Sequence, residues 1–139
     1  MPQFSAKSIE RLQTCHPDLQ RVCNEVIKHF DCTVLCGTRP KADQDAAVAA
    51  GNSKTPWPKS KHNPMPSRAV DIGPYEKPEQ PIDWADRERL TLFAGFMLGT
   101  AASLGINLRW GGDWDQDTEV QDNSFDDLVH FELGTGGAA

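Results

Sequence analysis

Four prolines lie between Thr55 and Pro66, and they constrain the fold of this chain more than any other local feature. Proline lacks a backbone N–H and fixes φ, so this stretch can form neither a helix nor an inner strand. We therefore expect an ordered loop here. The segments on both sides of the loop show regular periodicity.

Helical spacing dominates the chain before this loop. Apolar residues recur with the period of one short and one longer amphipathic helix, and Pro17 suits the first turn of the second. These residues are Ile9, Leu12, Leu19, Val22, Val26, Ile27 and Phe30. The sequence CTVLCG (32–37) predicts a strand, and KADQDAAVAAGNS predicts a short helix closed by Gly51.

After the loop, short strands accompany one long helix. RAVDIG predicts a strand that turns Asp71 away from the core side, and INLRWGG predicts another. WADRERLTLFAGFMLGTAASLG predicts the main core helix, with Asp83 as a possible cap and Gly105 as its end. In DLVHFELG, apolar residues alternate with His130 and Glu132, so this polar pair occupies the opposite face of a third strand.

The order of these elements predicts an α+β fold, a small single domain with a short antiparallel sheet packed on helices. A length of 139 residues fits one domain. We expect that domain to span residues 1–134 and the glycine-rich residues 135–139 to form a flexible tail.

Charge and hydropathy exclude several functions. The formal net charge is −6, whereas nucleic-acid binding needs Lys and Arg to neutralise phosphates, so nucleic acid is not an expected partner. The longest apolar window, 92–108, is interrupted by glycines, so we expect no membrane insertion. The N-terminal residues lack the pattern of a secretory signal peptide, so we expect synthesis in the cytoplasm.

Four cysteines could indicate disulfides or zinc, but they form no CxxC pair. Cys15 and Cys23 fall within the helical patterns, and Cys32 and Cys36 bracket a predicted strand. We expect buried, reduced thiols that pack as small apolar groups.

Three residues could together bind a metal ion. His62 and Asp71 flank the end of the proline-rich loop, and His130 interrupts the apolar run near the C-terminus. A catalytic zinc site takes three ligands from His, Asp or Glu and leaves one position open for water. The spacing alone is a weak signal, because a lone strand histidine is more often a surface or hydrogen-bonded residue.

At these residues the chain resembles the zinc peptidases of the D-Ala-D-Ala carboxypeptidase/dipeptidase-like family. The similarity lies in Ser60-x-His62, Ala69-x-Asp71, Asp127-x-x-His130-x-Glu132, and the upstream segment CGTRPKADQ that holds Arg39 and Gln44. Within that family, the segments WPKSKHN and RWGGDWD are most similar to those of the L-alanyl-D-glutamate endopeptidases that serve as bacteriophage endolysins. The spacing from His62 to Asp71 is longer than the commoner form, and the loop NPMPS can absorb the difference.

The resemblance implies a hedgehog/D,D-peptidase-like fold and a Zn²⁺ ion held by His62, Asp71 and His130. It also makes Asp127 the general base, where the alternative is a solvated turn residue just before the strand. Arg39 would stabilise the oxyanion or grip a substrate carboxylate, or it is a surface arginine. Weaker expectations are Glu132, Ser60 and Gln44 as substrate-binding or supporting residues.

The acidic loop DWDQD raises a separate possibility. Asp113, Asp115 and Asp117 alternate as in the first half of an EF-hand, but the later positions lack the required Gly and Glu. A different type of Ca²⁺ site involving these residues, with Asp122 as a further ligand, and plain solvated charge both stay open. Trp57, Trp110 and Trp114 could line a cleft or pack in the core.

By resemblance, the chain is a peptidoglycan hydrolase that cleaves the L-alanyl-D-glutamate bond of stem peptides during phage-mediated host lysis. A D,D-carboxypeptidase or dipeptidase is the alternative, and a wall-binding domain with structural zinc is a third interpretation. The resemblance implies a holin-type partner that admits the protein from the host cytoplasm to the periplasm and wall. We expect a monomer.

Overall fold

The computed structural model describes residues 2–119 and 127–134. Four helices and four strands follow one another along the chain: α1 (Ala6–Leu12), α2 (Pro17–Val26), β1 (Cys32–Cys36), α3 (Lys41–Ala49), β2 (Ala69–Pro74), α4 (Arg87–Ser103), β3 (Leu108–Gly111) and β4 (Asp127–Leu133). This order confirms the predicted small α+β domain. The loop from Thr55 to Pro66 has no helix or strand, as its prolines predict.

The four strands form one sheet in the order β1-β2-β4-β3, and all neighbours are antiparallel. In the β2–β4 pair, Asp71 lies opposite His130, and Val70 lies opposite Phe131. Directly opposed residues point to the same face of a sheet. Asp71 and His130 therefore share one face, and the apolar pair shares the other.

The apolar face packs against the helices. Phe93 of α4 meets Phe131 of β4 edge to face, with ring centroids 6.2 Å apart. Met97 and Ala101 continue the buried stripe of α4, and α2 covers the same core with Leu19, Val22 and Val26. Burial of this core stabilises the sheet. The polar residues of the site can therefore occupy the opposite face.

Helix ends follow the predicted signals with one correction. Pro17 occupies the first turn of α2, and the glycines that end α3 and α4 have positive φ, +80° at Gly51 and +74° at Gly105. The N-cap of α4 is Asp86, whose carboxylate accepts from Arg89 N–H. Asp83 instead accepts from Ala85 N–H within the preceding turn, so the helix begins later than the sequence pattern suggested.

All four cysteines are free thiols, and Cys15, Cys23 and Cys32 are buried as predicted. Cys15 is not helical, because it follows α1 and forms an isolated β-bridge with Ser67. Cys36 is only half-buried. Burial raises the pKa of Cys15 and Cys23, and raises that of Cys32 to about 12, because a thiolate loses its hydration there.

Within residues 2–119 and 127–134, the helices all fall short of the length and hydropathy that a bilayer crossing requires.

Candidate metal centre

His62 is held rigidly although it lies on a loop. Its backbone carbonyl accepts from Arg39 N–H at 2.6 Å, and its N–H donates to the Ser60 hydroxyl at 3.2 Å. A neighbouring side chain, Asn63, closes the same turn by accepting from Ser60 N–H. These hydrogen bonds hold the loop in place of the strand hydrogen bonds that its prolines cannot make. The His62 side chain is 2% exposed.

Three side-chain atoms converge at this point. His62 Nε2 lies 3.1 Å from Asp71 Oδ1 and 3.3 Å from His130 Nδ1, and the last two atoms are 3.2 Å apart. In a tetrahedral site with metal–ligand distances of about 2.0–2.2 Å, neighbouring ligand atoms lie about 3.3–3.6 Å apart. The triangle is therefore close to the size of one face of a zinc site.

The outer nitrogen of each histidine fixes its tautomer. His62 Nδ1 lies 2.8 Å from the Gly37 carbonyl, and His130 Nε2 lies 2.9 Å from Glu132 Oε1. Both oxygens can only accept, so both nitrogens donate. In a neutral ring the inner nitrogen then carries a lone pair, and these lone pairs point at each other and at Asp71. Such a donor set suits a cation.

The charges around the triangle support the same interpretation. Burial lowers the pKa of His62, but the charge and hydrogen bond of Asp71 outweigh it and raise this pKa to about 10. Burial also lowers the pKa of His130, but hydrogen bonds to Asp71 and Glu132 outweigh this effect, so the pKa of His130 is raised as well. The pKa of Asp71 is lowered, since the two histidines more than offset its burial. The cluster thus attracts positive charge, which a divalent ion could supply.

Asp127 lines the same pocket as the three candidate ligands. Strict strand alternation from His130 would turn it to the opposite face, but the β3–β4 register shifts between Trp110 and Gly111, and Asp127 pairs with Gly111. Asp127 is the first residue of β4, whereas the sequence pattern placed it just before the strand. Burial, then the charge of Asp71, raises the pKa of Asp127, and the two histidines and Arg39 oppose this.

Arg39 reaches the candidate ligand Asp71 from the segment between β1 and α3. Its Nη2 lies 3.5 Å from Asp71 Oδ2, and its Nη1 donates to Gln44 Oε1 at 3.1 Å. Gln44 is fully buried on α3 and also binds Asn63, which ties Arg39 to the His62 loop. Ser60 lines the pocket. The structure thus brings every predicted site residue except the acidic-loop aspartates to one place.

Two charged residues that contact Glu132, Arg109 and Lys61, were not predicted from the sequence. Arg109 Nη2 donates to Glu132 Oε2 at 2.5 Å, and Lys61 Nζ lies 3.5 Å from the same oxygen. Together with His130, Arg109 lowers the pKa of the buried Glu132 to about 2, although burial itself acts in the opposite direction. Arg109 lies opposite Glu132 in the sheet, a pairing that needs the register of β3 on β4.

The pocket in front of the cluster has a volume of about 670 Å³. Of the tryptophans considered from sequence, Trp114 lines it, with its ring 5.4 Å from that of His130, whereas Trp110 is buried in the core. Trp57 does not belong to the described residues that line the pocket. Trp84, which the sequence did not single out, lines the pocket and is 60% exposed.

The acidic loop also draws its carboxylates together. Asp113, Asp115 and Asp117 place one oxygen each within 4.8 Å of one another. Backbone N–H groups of Asp117 and Thr118 donate to the Asp113 carboxylate, and these hydrogen bonds close a turn. Asp122 lies outside the described residues. Calcium binding stays a prediction from the sequence.

A His-Asp-His cluster inside an open pocket on an antiparallel sheet fits a metallopeptidase. Comparison with known proteins gives the family. A sequence model described as phage L-alanyl-D-glutamate peptidase matches residues 1–134, and the chain belongs to that family.

Two relatives extend this finding. The chain is 32% identical over 138 aligned residues to the L-alanyl-D-glutamate peptidase of Escherichia phage T5, covering 94% of this chain and 97% of that protein. The crystal structure of the Serratia marcescens L-Ala D-Glu endopeptidase ChiX superposes with a TM-score of 0.71 at 29% identity, covering 95% of this chain and 90% of that one. The relatives are peptidases of nearly the same length.

Proposed function

We propose that this protein is a zinc-dependent endopeptidase that hydrolyses the L-alanyl-D-glutamate bond in the stem peptides of bacterial peptidoglycan. The observation that carries the proposal is the convergence of His62 Nε2, Asp71 Oδ1 and His130 Nδ1 in a pocket that also receives Asp127. Family membership supports the choice of bond.

Zinc is the metal that this donor set suits best. Two imidazoles and one carboxylate with outer hydrogen bonds to Gly37 and Glu132 match the ligands of catalytic zinc sites. When bound, Zn²⁺ polarises a carbonyl and lowers the pKa of water to about 7. Three protein ligands leave room for substrate on the pocket side, and the part of the chain that the structure describes places no fourth His or Cys in this cluster.

Asp127 is suited to move the proton that hydrolysis requires. A general base accepts a proton from the attacking water and passes it to the leaving amine. Its raised pKa, caused by burial and by the charge of Asp71, makes it a better proton acceptor than an exposed aspartate. We assign it both transfers.

Arg39 would stabilise the negative charge that develops on the carbonyl oxygen. Its contact with Asp71 keeps the guanidinium beside a candidate ligand, and its bond to the buried Gln44 restricts its motion. A fixed cation close to the reacting centre lowers the energy of the transition state more than that of the ground state. This location supports oxyanion stabilisation over a grip on a distant carboxylate.

We further propose that residues 1–134 form the catalytic domain; the predicted tail, residues 135–139, lies outside the described residues. In this proposal the protein is made in the cytoplasm of the infected host and reaches the periplasm and wall once a holin-type partner permeabilises the membrane. It acts as a monomer on the stem peptide.

Mass spectrometry of purified Gram-negative peptidoglycan, digested with and without a zinc chelator, tests the activity. We expect new N-terminal D-glutamate on stem peptides, abolished by chelation and restored by zinc. Loss of terminal D-alanine instead would identify a carboxypeptidase. Intact peptides from a zinc-loaded protein would point to a wall-binding domain with structural zinc.

A further inference from the structure

The chain contains a long segment without acidic residues. It carries 20 Asp and Glu residues in total and a net charge of −6, yet residues 46–70 include none. The same segment carries four cations, Lys54, Lys59, Lys61 and Arg68. Such a segregation of charge in an acidic protein suggests an electrostatic role for this part of the surface.

The acid-free segment forms one wall of the pocket. Its lining residues are Asn52, Ser53, Lys54, Thr55, Lys59, Ser60, Lys61 and His62. The acidic lining residues, Asp71, Asp127 and Glu132, all come from β2 and β4. The loop thus contributes lysines and no carboxylates to the lining, whereas the carboxylates come from the strands, where Arg109 and Arg39 lie beside them.

The cations deeper in the pocket already have structural partners. Arg39 binds Asp71 and Gln44, and Arg109 binds Glu132. Lys61 Nζ donates to the Leu133 carbonyl at 2.9 Å and is only about one-quarter exposed, at 27%. Lys54 and Lys59 also line the pocket, and both side chains are exposed to solvent, where a ligand in the pocket can reach them.

The aliphatic lining residues lie on the strand side. Leu35 and Val129 pack with Ile82 and Leu90 in a small cluster at the pocket. A peptide bound across the site therefore meets apolar side chains from β1 and β4, and positive charge from the loop. A carboxylate on that peptide is favoured beside the loop, because the lysines there carry the opposite charge.

We propose that Lys54 and Lys59 form a subsite for the free carboxylate of the glutamate residue in the substrate. This inference rests on the proposed function. A glutamate within a peptide chain uses one carboxyl in the amide bond and keeps the other ionised at neutral pH. That carboxylate sits on the leaving-group side of the scissile bond, so a cationic wall beside the metal centre selects an acidic residue there.

Two synthetic peptides test the subsite. Both carry the L-alanyl-D-glutamate bond with a further residue on the glutamate γ-carboxyl, and they differ in whether the α-carboxyl is free or amidated. Lys54→Gln, Lys59→Gln and the double variant are compared with the wild type. Lys77→Gln, an exposed lysine outside the pocket, is the matched control.

With the free carboxylate, we expect kcat/KM to fall about threefold in each single variant and about tenfold in the double variant, through KM. With the amidated peptide, wild type and variants should be equal, and both should be slower than wild type on the acidic peptide. Lys77→Gln should change neither rate.

The outcomes separate this inference from the proposed function. If the wild type cleaves both peptides equally, or the double variant loses activity equally on both, the subsite is refuted while the peptidase activity stands. If the zinc-loaded wild type cleaves neither peptide, the proposed function fails and the subsite falls with it.

Discussion

Glu132 accepts a hydrogen bond from His130 Nε2–H at 2.9 Å, and its second oxygen accepts from Arg109 at 2.5 Å. One buried carboxylate on β4 thereby joins a candidate metal ligand to a cation on β3. The bond to His130 fixes the tautomer whose Nδ1 faces Asp71. Arg109 in turn keeps Glu132 ionised and in place.

Glu132→Gln should weaken zinc binding by about 10–100-fold, the usual effect of changing the partner of a ligand histidine. The amide keeps the shape of the side chain but removes the charge that fixes His130. Competition with a chromophoric chelator measures the affinity. Glu10→Gln, on the exposed side of α1, is the control and should bind zinc normally. Unchanged affinity in Glu132→Gln would show that the charge is not needed.

His130→Ala should reduce the zinc content from one ion per chain to a level below detection. Only His62 and Asp71 remain as ligands, and two ligands do not complete a stable site. Metal analysis after dialysis, with folding checked by circular dichroism, gives the answer. His29→Ala removes an exposed histidine that does not line the pocket and should leave the zinc content intact. Full occupancy in His130→Ala would refute the ligand assignment.

Asp127→Asn should lower kcat by about 10²–10⁴-fold while the zinc content and fold are retained. The amide cannot accept the proton of the attacking water. Steady-state hydrolysis of the free-carboxylate peptide, together with metal analysis, separates this effect from metal loss. Asp43→Asn, an exposed change on α3, is the comparison. Normal turnover in Asp127→Asn would remove Asp127 from the mechanism.

Gly111→Ala should destabilise the protein by about 1–3 kcal/mol and also lower activity. A Cβ at Gly111 would collide with the backbone carbonyl of Asp127, so β3 and β4 would have to separate where the candidate base begins. Urea denaturation measures the free energy of unfolding. Gly99→Ala in α4 has open space around its Cβ and should raise stability by up to about 1 kcal/mol. Equal free energies of unfolding for Gly111→Ala and the wild type would contradict the close contact between Gly111 and Asp127.

Cys23 and Cys32 should resist alkylation at pH 8 in the native protein and react rapidly in urea. Burial raises both pKa values, and the thiolate is the reactive form. The same shifts predict that stability is full below pH 9 and declines between about pH 9 and 12, because thiols of the unfolded chain ionise first. Mass spectrometry after iodoacetamide counts the modified sites. Fast native labelling of Cys32 would contradict its burial.

Local patterns were sufficient to predict most elements, and the resemblance to zinc peptidases singled out the three candidate ligands. The alternation of apolar and polar residues in β4 placed His130 on the face opposite the apolar side chains. The prolines predicted the loop between Thr55 and Pro66. The exceptions involve contacts distant in sequence. The break in alternation that turns Asp127 into the pocket depends on how β3 pairs with β4. Arg109 acquires its role only through the same pairing, and no local pattern encodes it.

Helix boundaries and tryptophan positions show the same limit. Asp83 and Asp86 are both good N-cap residues, and the tertiary position of α4 selects the second. Trp110 and Trp114 lie four residues apart, yet one is in the core and the other beside His130. Which of two similar side chains enters a pocket is decided by packing that spans the whole domain.

The strand order has a consequence for synthesis. β4 lies between β2 and β3, although it follows both along the chain. Because translation proceeds from the N-terminus, β2 has one unpaired edge and β3 has no partner among the described strands until residues 127–133 leave the ribosome. The last strand to emerge also carries His130, Asp127 and Glu132. The nascent chain therefore completes its four-stranded sheet and its site in a single late step, and a product that ends before residue 127 has at most the β1–β2 pair.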